Sequence, residues 1–127
     1  HQKALILGTG GACKAVDFGL KSLGLQTLKV SRQIRPDAIT YEQITPDMIK
    51  EYNVIVNCTP CGMYPHADEC PKLPYEAMNS HTLLYDLLYN PDETLFMKRG
   101  KAQGALVKNG LEMLLLQAFA SWEFWNK

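Results

Sequence analysis

The sequence predicts an α/β fold, a three-layer αβα sandwich on a mostly parallel sheet of about six strands. Two observations carry this. Short apolar runs bounded by glycine, proline or asparagine alternate along the chain with segments whose apolar residues recur at helical spacing. Within Lys3-Ala-Leu-Ile-Leu7 and Asn53-Val-Ile-Val-Asn57 the interior residues are all apolar, with no polar alternation. That is the profile of parallel strands covered on both faces.

Taken in order, Lys3 to Leu7 predicts the first strand. Gly10 to Leu23 predicts a helix, with apolar residues at Ala12, Ala15, Val16, Leu20 and Leu23 and Gly24 at its stop. Gln26 to Ser31 reads as the second strand and Ile39 to Gln43 as a short third. Pro46 suits a first helical position and opens a small helix to about Tyr52. Asn53 to Asn57, rich in β-branched residues, is the next strand. From Cys58 to about Pro74 the chain holds four prolines and a glycine, which predicts a long loop. Thr82 to Leu87 gives another strand, and Asp92 caps a helix to about Lys101. A strand near Ala105 to Lys108 precedes a final helix from Gly110 to Trp125. Strand–helix alternation implies right-handed crossovers. No repeat or second domain is visible, so residues 1–127 are expected to form one domain.

Composition narrows the partners. Hydrophobic residues make up 46% and charged residues 20% of 127 residues, and 13 basic residues balance 13 acidic ones. A neutral balance gives no global field for nucleic acid or a membrane surface, so any anion must be recognised locally. No apolar run approaches the roughly 20 residues that span a bilayer, and no signal-peptide pattern is present. The four cysteines read as reduced thiols of a cytoplasmic protein, and a monomer or homodimer is expected, with the oligomeric state not read from the sequence. The chain opens almost directly on a strand and reads as a piece of a larger protein.

Gly8-Thr9-Gly10-Gly11-Ala12 lies between the first strand and the first helix. Glycine at 8 permits a tight turn, and glycine at 10 lets the backbone approach a pyrophosphate. The free N–H groups of the helix start then face the anion. Cys13 stands where the third glycine of the dinucleotide fingerprint usually falls, and is small enough for close helix–strand packing. The expectation is a Rossmann-type dinucleotide site at Gly8 to Ala12. An NAD-preferring domain places an acid about 20 residues beyond the turn, against the ribose 2′-hydroxyl. Here that place reads Val30-Ser31-Arg32-Gln33, with Arg35 near and no acid before Asp37. A guanidinium binds a 2′-phosphate bidentately and stacks on adenine. Arg32 is therefore the expected specificity residue, with Ser31, Gln33 and Arg35 beside it, and NADP(H) the expected cofactor.

Three further segments belong with this turn: Asn57-Cys-Thr-Pro-Cys-Gly-Met63, Tyr85-Asp-Leu-Leu-Tyr-Asn-Pro91, and Asn109-Gly-Leu-Glu-Met113 with Gln117. Together with Gly8 to Val16, and in this order, they closely resemble the cofactor domain of shikimate dehydrogenase, over nearly the whole chain. The resemblance implies reversible reduction of 3-dehydroshikimate to shikimate with NADPH, in aromatic amino-acid biosynthesis. It implies that Thr59 lines the adenine side, that Leu87, Gly110 and Met113 flank the nicotinamide, and that Tyr89 and Gln117 face the small-molecule substrate. Cys61 stands where the family usually has Leu, and Ser31 where it often has Asn. Nothing in the chain aligns with the family's substrate domain, which carries its catalytic Lys and Asp. No catalytic residue is therefore expected here.

Other readings stay in view. A relative acting on quinate as well as shikimate would look the same. So would an NADP-binding module without chemistry. Cys58, Cys61, His66 and Cys70 come within one residue of a zinc-knuckle spacing, which would suit a nucleic-acid binder. Against that, Cys58 directly follows a buried strand and the charge offers no basic face, so neither metal nor nucleic acid is expected.

Overall fold

The computed structural model describes residues 3–8, 11–59, 70–86 and 94–109. Six strands form one all-parallel sheet: β1 Lys3–Leu7, β2 Gln26–Ser31, β3 Ala38–Thr40, β4 Val54–Asn57, β5 Leu83–Asp86 and β6 Leu106–Asn109. Their spatial order is β3-β2-β1-β4-β5-β6. This is the doubly wound arrangement expected from the strand–helix alternation. The β1–β2 register pairs Leu7 with Val30, and β1–β4 pairs Leu7 with Asn57. The carboxyl ends of the three central strands therefore lie level.

The pleat of β1 divides the core. Leu5 and Leu7 face one side of the sheet, with Val30, Ile55, Leu84 and Phe96. Ala4 and Ile6 face the other, with Val54, Val56 and Tyr85. Helix α1 (Gly11–Ser22) covers the second face through Cys13, Val16 and Leu20, spaced i, i+3 and i+7. Ala15, expected in this stripe, is exposed instead, because burial of Cys13 sets the phase of the helix. The first face is covered by α2 (Pro46–Glu51) through Ile49, and by α3 (Leu95–Ala102) through Phe96 and Met97. Helix α1 ends in a Schellman motif: Leu25 N–H donates to Leu20 O and Gly24 N–H to Lys21 O. Gly24, at φ +86°, takes the left-handed position this ending requires.

Two local expectations shift. The third strand stops at Thr40, and Tyr41–Gln43 forms a 3₁₀ turn. The Gln43 side chain accepts the Thr40 N–H at 2.8 Å and bends the chain before it can extend the strand. The N-cap of α3 is Thr94, whose hydroxyl accepts the Met97 N–H; Asp92 lies outside the described residues. The loop expected to reach Pro74 leads into a second 3₁₀ turn, Tyr75–Ala77. There Tyr75 is buried edge-on against Phe96, with ring centroids 6.4 Å apart. The final expected helix lies outside the described residues. Among those described, no helix is long and apolar enough to cross a membrane.

Candidate functional site

Strand order reverses at β1, where one half of the sheet grows through β2 and the other through β4. Open α/β sheets bind ligands outside the carboxyl ends of the strands at this point. Two backbone bonds tie the strand ends together. Gly8 N–H donates to Val30 O at 2.8 Å, and Cys58 N–H donates to Leu7 O at 2.9 Å. Gly8 takes φ +116°. A Cβ there would stand 3.0 Å from Cys13 Sγ and 3.3 Å from Thr59 Cγ2. Backbone conformation and crowding both require glycine, and its bare backbone leaves open the cradle a pyrophosphate needs. Thr9 and Gly10 lie outside the described residues. Gly11 opens α1, whose first turn contains no acid that would oppose an anion; the side chain of Ala12 is not among those described.

At the tip of β2, Ser31 is buried and its hydroxyl accepts the Gln33 N–H at 3.1 Å. That local turn releases Arg32 and Gln33 to the surface, where both are exposed. Arg32 lines a cavity of about 480 Å³, together with Thr59, Tyr41, Glu42, Pro71 and Lys72. That volume falls within the roughly 300–1,000 Å³ of small-molecule sites. Arg35 does not line it and pairs with Asp37 at 3.3 Å.

Thr59 is held from below. Asn57 Oδ1 accepts both its N–H, at 3.1 Å, and its hydroxyl, at 2.6 Å. Asn57 Nδ2 in turn donates to Asp86 Oδ2 at 3.3 Å, and Thr94 Oγ1 donates to the same oxygen at 2.6 Å. Asn57, Asp86 and Thr94 are all fully buried. This polar chain runs from the cap of α3 across the ends of β5 and β4 to the cavity wall. Asn57 and Asp86 belong to the quoted motifs, yet sequence reasoning gave them no role. The available signal was that each ends an apolar strand with a polar residue, and the sheet register places them opposite each other.

Cys58 lies beside Cys13. A hydrogen bond with Cys13, burial and the charge of Asp86 push the Cys58 thiol far above its ordinary range. Thiol–disulfide chemistry would require the reverse shift. Among the described residues no group of three His, Cys, Asp or Glu side chains is placed to hold a metal. Cys61 and His66 of the knuckle-like spacing lie outside those residues. So do Leu87, Tyr89, Gly110, Met113 and Gln117. The structure thus brings Gly8, Arg32 and Thr59 to one cleft, with Ser31 shaping its edge.

No family model matches the chain. Among curated proteins, it is 37% identical over 144 residues to shikimate dehydrogenase (NADP(+)) of Nostoc sp., covering 98% of this chain and 50% of that protein. It is 30% identical to the enzyme of the same name from Desulforamulus reducens, covering 98% and 49%. Among solved structures, shikimate 5-dehydrogenase of Thermus thermophilus in complex with NADP(H) and shikimate superposes with a TM-score of 0.71 at 30% identity. That match covers 96% of this chain and 48% of the other. The chain spans about half the length of the curated relatives it matches.

Proposed function

The chain is a relative of the shikimate dehydrogenases, homologous along 98% of its length to about half of theirs, and from that premise we propose that it is the NADP(H)-binding half of such an enzyme. The enzyme would reversibly reduce 3-dehydroshikimate to shikimate. One observation carries the reading of the site: the Gly8 turn, at the reversal of strand order, adjoins a cavity lined by Arg32. The open cradle at Gly8 fits a pyrophosphate, and the guanidinium fits the 2′-phosphate that separates NADP from NAD.

When bound, the cofactor supplies the hydride. The residues of this chain bind and orient it. Gly8 to Ala12 hold the pyrophosphate, Ser31, Arg32, Gln33 and Arg35 surround the adenosine phosphate, and Thr59 borders the adenine. By resemblance, Leu87, Gly110 and Met113 flank the nicotinamide, and Tyr89 and Gln117 contact the substrate. Proton transfer to the carbonyl oxygen needs a positioned acid. On the resemblance, that role falls to Lys and Asp side chains with no counterpart in this chain. We place the protein in the cytoplasm, as monomer or homodimer, with no nucleic-acid or membrane partner.

The test has two arms. Titration of the chain with NADPH and NADH is expected to show tighter NADPH binding. Mixed with 3-dehydroshikimate and NADPH, the chain is expected to show no turnover until the substrate-binding half of a relative is added. Proximity and orientation can contribute about 7–11 kcal/mol to such a step, so losing the substrate half should silence it. Turnover by the chain alone would mean that a catalytic residue lies within it.

A further inference from the structure

We propose that Asn57 is a positioning residue for the bound dinucleotide, taking its orientation from the buried carboxylate of Asp86 and fixing Thr59 beside the Gly8 turn. The inference rests on the reading of that turn as the NADP(H) site. Donor polarity sets the direction of the chain of bonds. The Thr59 N–H can only donate, so the Asn57 atom that receives it is the side-chain oxygen. The Thr59 hydroxyl meets the same oxygen at 2.6 Å and must donate as well. The Asn57 nitrogen is thereby turned to Asp86 Oδ2, to which it donates. Thr94 Oγ1 accepts the Met97 N–H and gives its own proton to that same carboxylate oxygen. Rotating the Asn57 amide would break its bonds on both sides at once.

With its hydroxyl turned inward, Thr59 sets its methyl toward Gly8, 3.3 Å from where a Cβ on that residue would stand. Thr59 also lines the cavity that Arg32 lines. A wall ordered before the ligand arrives spares the entropy of ordering it on binding. Asn57 is fully buried and acts on the ligand only through Thr59. The titratable groups recorded beside this chain are Asp86, the Cys58 thiol and the Cys13 thiol bonded to Cys58. Cys58 is pushed far above its ordinary range and keeps its proton near neutral pH.

The test is a titration of the full chain with NADPH and NADH between about pH 5.5 and pH 9, each variant compared with wild type at the same pH while circular dichroism monitors the fold. Asn57→Asp keeps the shape but sets two buried carboxylates together, and the pKa of such a pair is strongly raised. A shared proton replaces the Asn57 N–H at low pH and is lost as pH rises. Binding of both cofactors is expected within about threefold of wild type at the acid end and about tenfold weaker at the alkaline end. Thr59→Val, at a half-buried position, removes only the hydroxyl and should weaken both cofactors about fivefold, whereas Thr59→Ser should stay within about twofold. If Asn57→Asp fails to fold, the Thr59 pair decides alone. A deficit in Asn57→Asp that is equal at every pH, a valine variant that binds like wild type, or a serine variant as weak as valine overturns the role of Asn57 only. A wild-type chain that binds neither cofactor overturns the NADP(H) reading and this inference with it.

Discussion

Thr94 donates its hydroxyl to the buried carboxylate of Asp86 across 2.6 Å, and its oxygen accepts the Met97 N–H at 3.3 Å. One side chain thus caps α3 and satisfies a carboxylate at the end of β5. Thr94→Ala removes a cap worth about 1 kcal/mol and leaves Asp86 short of a donor, at about 1–3 kcal/mol more. The expected loss is about 2–4 kcal/mol, read as a lower urea midpoint at unchanged slope. Thr94→Ser, which keeps the hydroxyl, should restore most of it. If serine and alanine behave alike, the methyl rather than the hydroxyl matters.

Gly8→Ala should weaken NADPH and NADH together. The φ of +116° and the 3.0 Å approach to Cys13 Sγ both oppose a Cβ. Backbone strain of this kind costs on the order of 1–3 kcal/mol, and relief would distort the turn. Combining it with Cys13→Ala removes the contact but not the φ. Isothermal titration of both variants separates the two causes, because full recovery in the double variant would assign the defect to crowding alone.

Arg32→Ala is expected to weaken NADPH binding about ten- to a hundredfold and to leave NADH nearly unchanged, the loss of a charge-assisted hydrogen bond worth about 1.5–3 kcal/mol. Because Arg32 is exposed, the difference should shrink as salt rises. An equal loss for both cofactors would mean that the guanidinium supports only the adenine.

Asp17 links α1 to β2, accepting the Thr27 hydroxyl and pairing with Lys21 at 3.0 Å. Burial opposes ionisation, but the Thr27 hydroxyl and Lys21 outweigh it and hold the carboxyl below its usual range. A carboxylate lowered in the folded state stabilises the fold above its unfolded pKa of about 3.9, and that contribution is lost as pH falls through the folded value. Asp17→Asn should therefore cost about 1 kcal/mol at pH 7 and less near pH 3. Chemical denaturation at the two pH values checks this, and a deficit independent of pH would remove the carboxylate from the explanation.

Much of this architecture was legible because it depends on local causes. The all-apolar interiors of β1 and β4 require cover on both faces, and Gly24 ends α1 where a left-handed residue is needed. Gly8 announces a turn for the same reason. Where a side chain bends its own backbone, as Gln43 does at Thr40, the pattern of strand-forming residues overstated the strand. Ala15 was misplaced because spacing gives the period of a helix, whereas its phase is set by the sheet it packs on.

The sequence by itself determined the layers, the glycine turn and the arginine at the tip of β2, because each is written in a few neighbouring residues. Only the tertiary structure decided which distant residues share the cleft. The sheet register sets Asn57 opposite Asp86, 29 positions later, and so joins the cavity wall to the cap of α3. The chain between β4 and β5 returns Lys72 to a cavity also lined by Arg32 and Glu42. Hydrogen bonds and charge pairs act over a few ångströms of space, and separation along the chain carries no trace of them until the strands are paired.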